Sequence, residues 1–144
     1  MQEIYVENIA EVIKNKKRLE KELKIKILNK GKNIFLEGKA DNEYIALEIL
    51  RALSAGFSVD KALQLKEDGF LLHVLNIKDL TKRSDLERIR GRIIGTSGKT
   101  LKTLHNLSEC DVSLKDNKIG ILGDENEIEN AVQAVTLLVQ GSKQ

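Results

Sequence analysis

The sequence predicts an α+β fold made of two copies of one β-α-α-β-β-α unit. Two observations carry that prediction. The order of apolar patterns in residues 1–56 recurs in residues 70–144. In addition, Ile34, Leu36, Gly38, Ala46, Leu50, Leu53 and Gly56 have counterparts 85 residues later, at Ile119, Ile121, Gly123, Ala131, Val135, Leu138 and Gly141. Apolar residues fall on apolar ones, and each of these glycines falls on a glycine. A chain of 144 residues can hold two small domains.

In the first unit, the alternation in Gln2-Glu3-Ile4-Tyr5-Val6-Glu7 predicts a short strand. Ile9, Val12 and Ile13 share one face of a helix that runs into the polar stretch Asn15-Lys16-Lys17-Arg18. A short helix with Leu19 and Leu23 follows. Residues 24–28 and 33–37 read as a hairpin turned around Gly31. Asp41 is expected to cap a helix whose apolar stripe is Ile45, Ile49, Leu50 and Leu53. Residues 57–69, with one or two helical turns around Ala62-Leu63, are expected to join the two units.

The second unit repeats this order. Residues 70–77 form an apolar run suited to a buried strand. Ser84 with Glu87 reads as a capping box that starts a helix with Leu86, Ile89 and Ile93 inward. Gly95-Thr96-Ser97-Gly98 breaks that helix, and another follows with Leu101, Leu104 and Leu107. Residues 111–114 and 118–122 make a hairpin through Asp116-Asn117. Asp124 with Glu127 reads as a second capping box. The last helix carries Ile128, Ala131, Val132, Val135, Leu138 and Val139 on its inner face.

Apolar residues make up 41% of the chain and charged residues 32%, the balance of a globular protein with a core. No apolar run approaches the roughly 18 residues of a membrane span, so no membrane association is expected. Met1-Gln2-Glu3 opens no basic-then-apolar leader, and one cysteine, Cys110, allows no internal disulfide. The cytoplasm is the expected location. The net charge of +2 is too small to imply a nucleic-acid partner, but its distribution is uneven. Lys82, Arg83, Arg88, Arg90, Arg92, Lys99 and Lys102 face only Asp85 and Glu87 in that stretch, whereas Asp124, Glu125, Glu127 and Glu129 crowd the segment after Gly123.

The chemistry is expected at residues 95–98. A glycine at 95 permits the backbone that ends a helix, and one at 98 lets a ligand backbone approach the main chain. The helix that starts there directs unpaired amides and its positive dipole end at the loop, which suits a phosphate. Lys99 and Lys102 add charge, as do Arg88, Arg90 and Arg92 on the preceding helix. Gly91 lies inside that helix, where glycine costs about 1 kcal/mol relative to alanine. Close packing or close ligand approach would account for it. Ile93, Ile94, Leu101, Val112 and Leu114 are expected to line an apolar groove beside the loop.

Other residues suggest no chemistry. His73 and His105 lie on different elements, and no spacing of Cys and His implies a metal. Cys110 has no triad partners and reads as a small buried residue. Aromatics are 3% of the chain, which disfavours recognition by stacking platforms but not an aliphatic groove.

An isolated GxxG is more often a plain turn. Here it lies between two helices of a βααββα unit, and Gly91-Arg92-Ile93-Ile94-Gly95-Thr96-Ser97-Gly98-Lys99 resembles the signature of a type I KH domain. Such domains clamp about four nucleotides through this loop. Over nearly its whole length the chain resembles the tandem-KH small-subunit ribosome assembly factors of archaea and eukaryotes. The most specific pieces are Gly56-Phe57-Ser58 leading into Ala62-Leu63, Arg88 through Lys99, and Lys118-Ile119-Gly120-Ile121-Leu122-Gly123.

The resemblance implies two tandem type I KH domains, each a three-stranded antiparallel sheet with helices packed on one face. It implies a degenerate first domain, and Asn15-Lys16-Lys17-Arg18 does stand where GxxG would be. Lys14, Lys16, Lys17 and Arg18 could contact phosphate through side chains, although a solvated loop is the simpler reading. The second domain is implied to bind single-stranded RNA near the 3′ end of small-subunit ribosomal RNA. The implied partners are the Nob endonuclease and the α subunit of the initiation factor that delivers initiator tRNA. Archaeal members continue into a basic tail, whereas this sequence ends at Gly141-Ser142-Lys143-Gln144, so the resemblance does not carry that tail's contact over to this sequence. No catalytic residue, metal or cofactor is expected. The competing readings are a protein-interaction scaffold and a general single-stranded RNA or DNA binder. A nuclease would need an acidic metal cluster that the sequence does not offer.

Overall fold

In the computed structural model, which describes residues 1–82, 85–95 and 98–141, the chain divides into two compact units, Met1–Glu67 and Asp68–Gln144. The first contains β1 (Gln2–Tyr5), α1 (Ile9–Lys14), α2 (Lys16–Leu23), β2 (Lys26–Lys30), β3 (Asn33–Glu37), α3 (Ala40–Ser54) and α4 (Val59–Ala62), ending in a 3-10 turn over Leu63–Lys66. The second contains β4 (Phe70–Asn76), α5 (Ile77–Leu80), α6 (Leu86–Ile94), α7 (Lys99–Ser108), β5 (Asp111–Lys115), β6 (Lys118–Asp124) and α8 (Ile128–Val139). Each has a three-stranded antiparallel sheet, ordered β1-β3-β2 and β4-β6-β5.

Strand alternation gives each sheet one apolar face. Ile27, Ile34 and Leu36 are buried on the helix-covered face of the first sheet, while their neighbours Leu28 and Phe35 are not. In the second unit Ile119 and Ile121 meet Ile89 and Ile93 of α6, Leu104 of α7, and Ala131, Val135 and Val139 of α8 in one core cluster. Each large aliphatic side chain so buried contributes about 1.5–3 kcal/mol of transfer free energy, so these stripes dominate folding.

The repeat extends to the backbone. Lys24 and Glu109, the C-caps of α2 and α7, have left-handed φ values of 54° and 59°. The Val6 N–H donates to the Lys32 carbonyl, and the Ile77 N–H to the Asn117 carbonyl, both at 2.8 Å. A Cβ on Gly38 would stand 3.1 Å from the Ile25 side chain, and one on Gly123 would stand 2.5 Å from the Cys110 sulfur. Cys110 is fully buried, and that burial pushes its thiol pKa up.

Three local expectations need correction. Asp41 does not cap α3; the cap position is Lys39, and Asp41 lies in the first turn, where its charge still favours the dipole. Asp124 ends β6, and its Oδ1 accepts the Asn126 N–H at 2.9 Å, leaving Glu127 as the residue before α8. Residues 57–67 of the expected joining stretch fold onto the first unit. Val59, Ala62 and Leu65 are buried there, and Arg18–Asp60 (2.6 Å) and Lys66–Glu22 (2.9 Å) ion pairs tie the stretch to α2. The Ser84 capping box lies outside the described residues; Asp85 occupies the position before α6.

Candidate nucleic-acid interface

α6 stops at Gly95 because the chain there adopts φ 73° and ψ −178°, a region essentially closed to residues with a side chain. The Gly95 N–H donates to the Gly91 carbonyl at 2.8 Å, completing the last turn. A Cβ at 95 would come within 2.8 Å of the Thr100 amide and closer still to its hydroxyl. Gly98 also has positive φ, at 76°, but a Cβ there would meet nothing within 4 Å among the described residues. The two glycines therefore act differently. Gly95 is needed so that the start of α7 can pack against the end of α6, and Gly98 keeps an open approach to the main chain. Thr96 and Ser97 lie outside the described residues.

Gly98 is the residue before α7, and among the described residues no side chain caps that helix. Its first turn holds no acid, and Lys99 and Lys102 lie in that turn. Both lysines are exposed, as is Arg88, and Arg92 is half-buried. None of these four forms an ion pair among the described residues. Arg90 is different: its Nη1 donates to Asn117 Oδ1 at 2.7 Å, which ties α6 to the β5–β6 turn. Gly91 is exposed on α6, and a Cβ there would meet nothing within 4 Å. Packing does not explain that glycine; open space in front of it is consistent with ligand approach.

The expected groove residues separate into two sets. Ile94 is 40% exposed, and Leu101, Val112 and Leu114 are half-buried against the core cluster. Ile93 must be corrected. It is fully buried, because the 3.6-residue period turns it inward with Ile89, and it supports the loop from below without reaching a ligand.

One feature was not legible in the sequence. β5 is an edge strand of its sheet. Lys115 and Lys118 flank the two-residue turn and pair with each other, as do Ser113 with Gly120 and Asp111 with Leu122. These pairs direct the backbone groups of 111, 113 and 115 toward β6, so those of Val112 and Leu114 point outward. The aliphatic wall is thus also a row of outward-pointing donors and acceptors.

His73 stands on β4, and His105 on α7, where its Nδ1 lies 3.0 Å from the Cys110 carbonyl and 3.3 Å from Asp111 Oδ1. No group of three or more His, Cys, Asp or Glu side chains is placed to hold a metal among the described residues. None of the helices there is long and apolar enough to cross a membrane.

Residues 71–144 match the family model for the second domain of PNO1, described as a eukaryotic-type KH domain, KH-domain type I. A KH domain-containing protein of Methanocaldococcus jannaschii is 30% identical over 134 residues, 88% of this chain and 59% of that protein. The pre-rRNA-processing protein pno1 of Schizosaccharomyces pombe is 35% identical over 128 residues, 83% of this chain and 53% of that protein. The chain thus spans little more than half the length of these relatives. Among solved structures, Dim2p of Pyrococcus horikoshii superposes with a TM-score of 0.88 at 30% identity, covering 100% of this chain and 94% of that one. A chain from the crystal structure of the a/eIF2alpha–aDim2p–rRNA complex of the same organism matches equally well, at TM-score 0.88 and 30% identity over 99% of this chain and 88% of that chain.

Proposed function

The chain belongs to the type I KH family represented by the second domain of PNO1, and from that premise we propose that it is an RNA-binding assembly factor of the small ribosomal subunit. Both units are read as KH domains in tandem, and the second grips single-stranded RNA near the rRNA 3′ end. The observation that carries this reading is the start of α7, which has no acid in its first turn and no side-chain cap among the described residues, behind the open approach at Gly98. A strand's backbone would run over residues 95–98, where α7 amides and the dipole receive a phosphate and Arg88, Arg92, Lys99 and Lys102 screen its neighbours. Bases would then lie against Ile94, Leu101, Val112 and Leu114, within reach of the open amide edge of Val112 and Leu114.

The relatives support the biological setting. One is named for pre-rRNA processing, and the P. horikoshii complex contains rRNA together with the initiation factor subunit. By the same reasoning, the initiation factor α subunit and a Nob-type endonuclease are proposed as partners. The role is non-catalytic and cytoplasmic, and it uses no cofactor.

The test is a titration of single-stranded RNA with the wild type and with Thr96→Asp/Ser97→Asp, which puts two negative charges where phosphate is expected. Binding by the second unit should be abolished while the circular dichroism spectrum is unchanged. Equal affinity for the two proteins would reject the loop as the grip and favour the protein-interaction scaffold.

A further inference from the structure

The first unit has its own edge strand, β2, in the position that β5 holds in the second. Lys30 pairs with Asn33, Leu28 with Phe35 and Lys26 with Glu37, so the backbone groups of Ile27 point outward, as those of Val112 do 85 residues later. In the first unit that amide is already taken: the Ile27 N–H donates to Glu20 Oε2 at 2.9 Å. The counterpart of Glu20 is His105, which turns instead to the Cys110 carbonyl and Asp111. A base edge arriving at Ile27 would meet a carboxylate in place of a free amide.

The face of α2 away from the buried Leu19 and Leu23 has the reverse character. Lys17, Lys21 and Lys24 recur at i, i+4 and i+7, away from the buried Leu19 and Leu23, and all three are exposed. The acids that could neutralise them are engaged elsewhere, Glu20 with Ile27 and Glu22 with Lys66, and Arg18 is held by Asp60. Among the described residues none of the three lysines has an ion-pair partner. Lysine in a last turn gains from the helix dipole, which accounts for Lys21 and Lys24, but Lys17 in the first turn gains nothing from it.

We infer that the first unit is a phosphate-only contact surface: the lysine stripe of α2 holds the backbone of a nucleic acid strand, while Glu20 closes the edge where a base would be read. This inference rests on the RNA-binding reading of the chain. Such a surface adds affinity and salt dependence without adding sequence preference.

The experiment uses the full chain with fluorescein-labelled oligouridylate and an abasic oligonucleotide of equal length. Lys17→Glu/Lys21→Glu should lower the slope of log affinity against log salt by about 1.4, at about 0.7 per phosphate on a single strand. Lys17→Gln/Lys21→Gln should do the same with less risk to the fold. In Thr96→Asp/Ser97→Asp protein, the residual binding should be equal for the two strands and should vanish when the lysine changes are added. An unchanged slope in both lysine variants overturns the inference, as does residual binding that prefers oligouridylate over the abasic strand. If instead wild type and Thr96→Asp/Ser97→Asp bind alike, the reading of the second unit fails, and that comparison is independent of the lysines.

Discussion

Replacing Gly91 with alanine should make the protein more stable and a poorer RNA binder. The residue sits inside α6 with ordinary helical backbone, and a Cβ there meets nothing within 4 Å. The change therefore removes only the entropic penalty of glycine in a helix, about 1 kcal/mol at most. For a unit of this size that corresponds to a rise in Tm of about 4–8 °C. The added methyl would stand in the open space that a bound strand is expected to fill. Crowding a well-fitted contact costs typically about 1–3 kcal/mol, a rise in Kd of about 5- to 160-fold. Thermal unfolding and fluorescence anisotropy on the same preparations give both numbers. A gain in stability with undiminished affinity would refute the idea that RNA passes in front of α6. A loss of stability would refute the open space itself.

Two further outcomes follow from the geometry. Gly95→Ala should destabilise the second unit by more than the roughly 1–3 kcal/mol of its backbone region alone, because the Cβ also collides with Thr100. Gly98→Ala should incur only the left-handed strain of about 1–2 kcal/mol, so a denaturant series should rank Gly95→Ala well below Gly98→Ala. In the first unit, Glu43 accepts the Gly38 N–H at 3.0 Å and faces the Met1 ammonium at 3.1 Å, and these hold its carboxyl below the usual carboxylate range. A depressed carboxyl stabilises the fold above its unfolded value, near 4.3, and that contribution is lost as pH falls through the folded value. The Tm advantage of wild type over Glu43→Gln should therefore be full at neutral pH and shrink on acidification; a constant difference would reject the assignment.

The element order and the repeat were legible because they depend on local periodicity. Alternation places Ile34 and Leu36 on one face of a strand, and the 3.6-residue stripe of α8 turns Val135 inward, whatever the rest of the chain does. The glycines at 91, 95 and 98 were legible for a similar reason, since a residue without a side chain in or beside a helix needs a local explanation. Their division of labour was not. Only the approach of Thr100 shows that Gly95 serves packing, and only the space around Gly98 and Gly91 shows that a ligand could come close. Ile93 and Ile94 are neighbours with the same chemistry, and packing alone made one core and left the other at the surface. Which strand forms the edge, and whether its outward amide is open as at Val112 or occupied as at Ile27 by Glu20, depends on pairing between segments distant in the chain. Periodicity along one segment carries no information about that pairing.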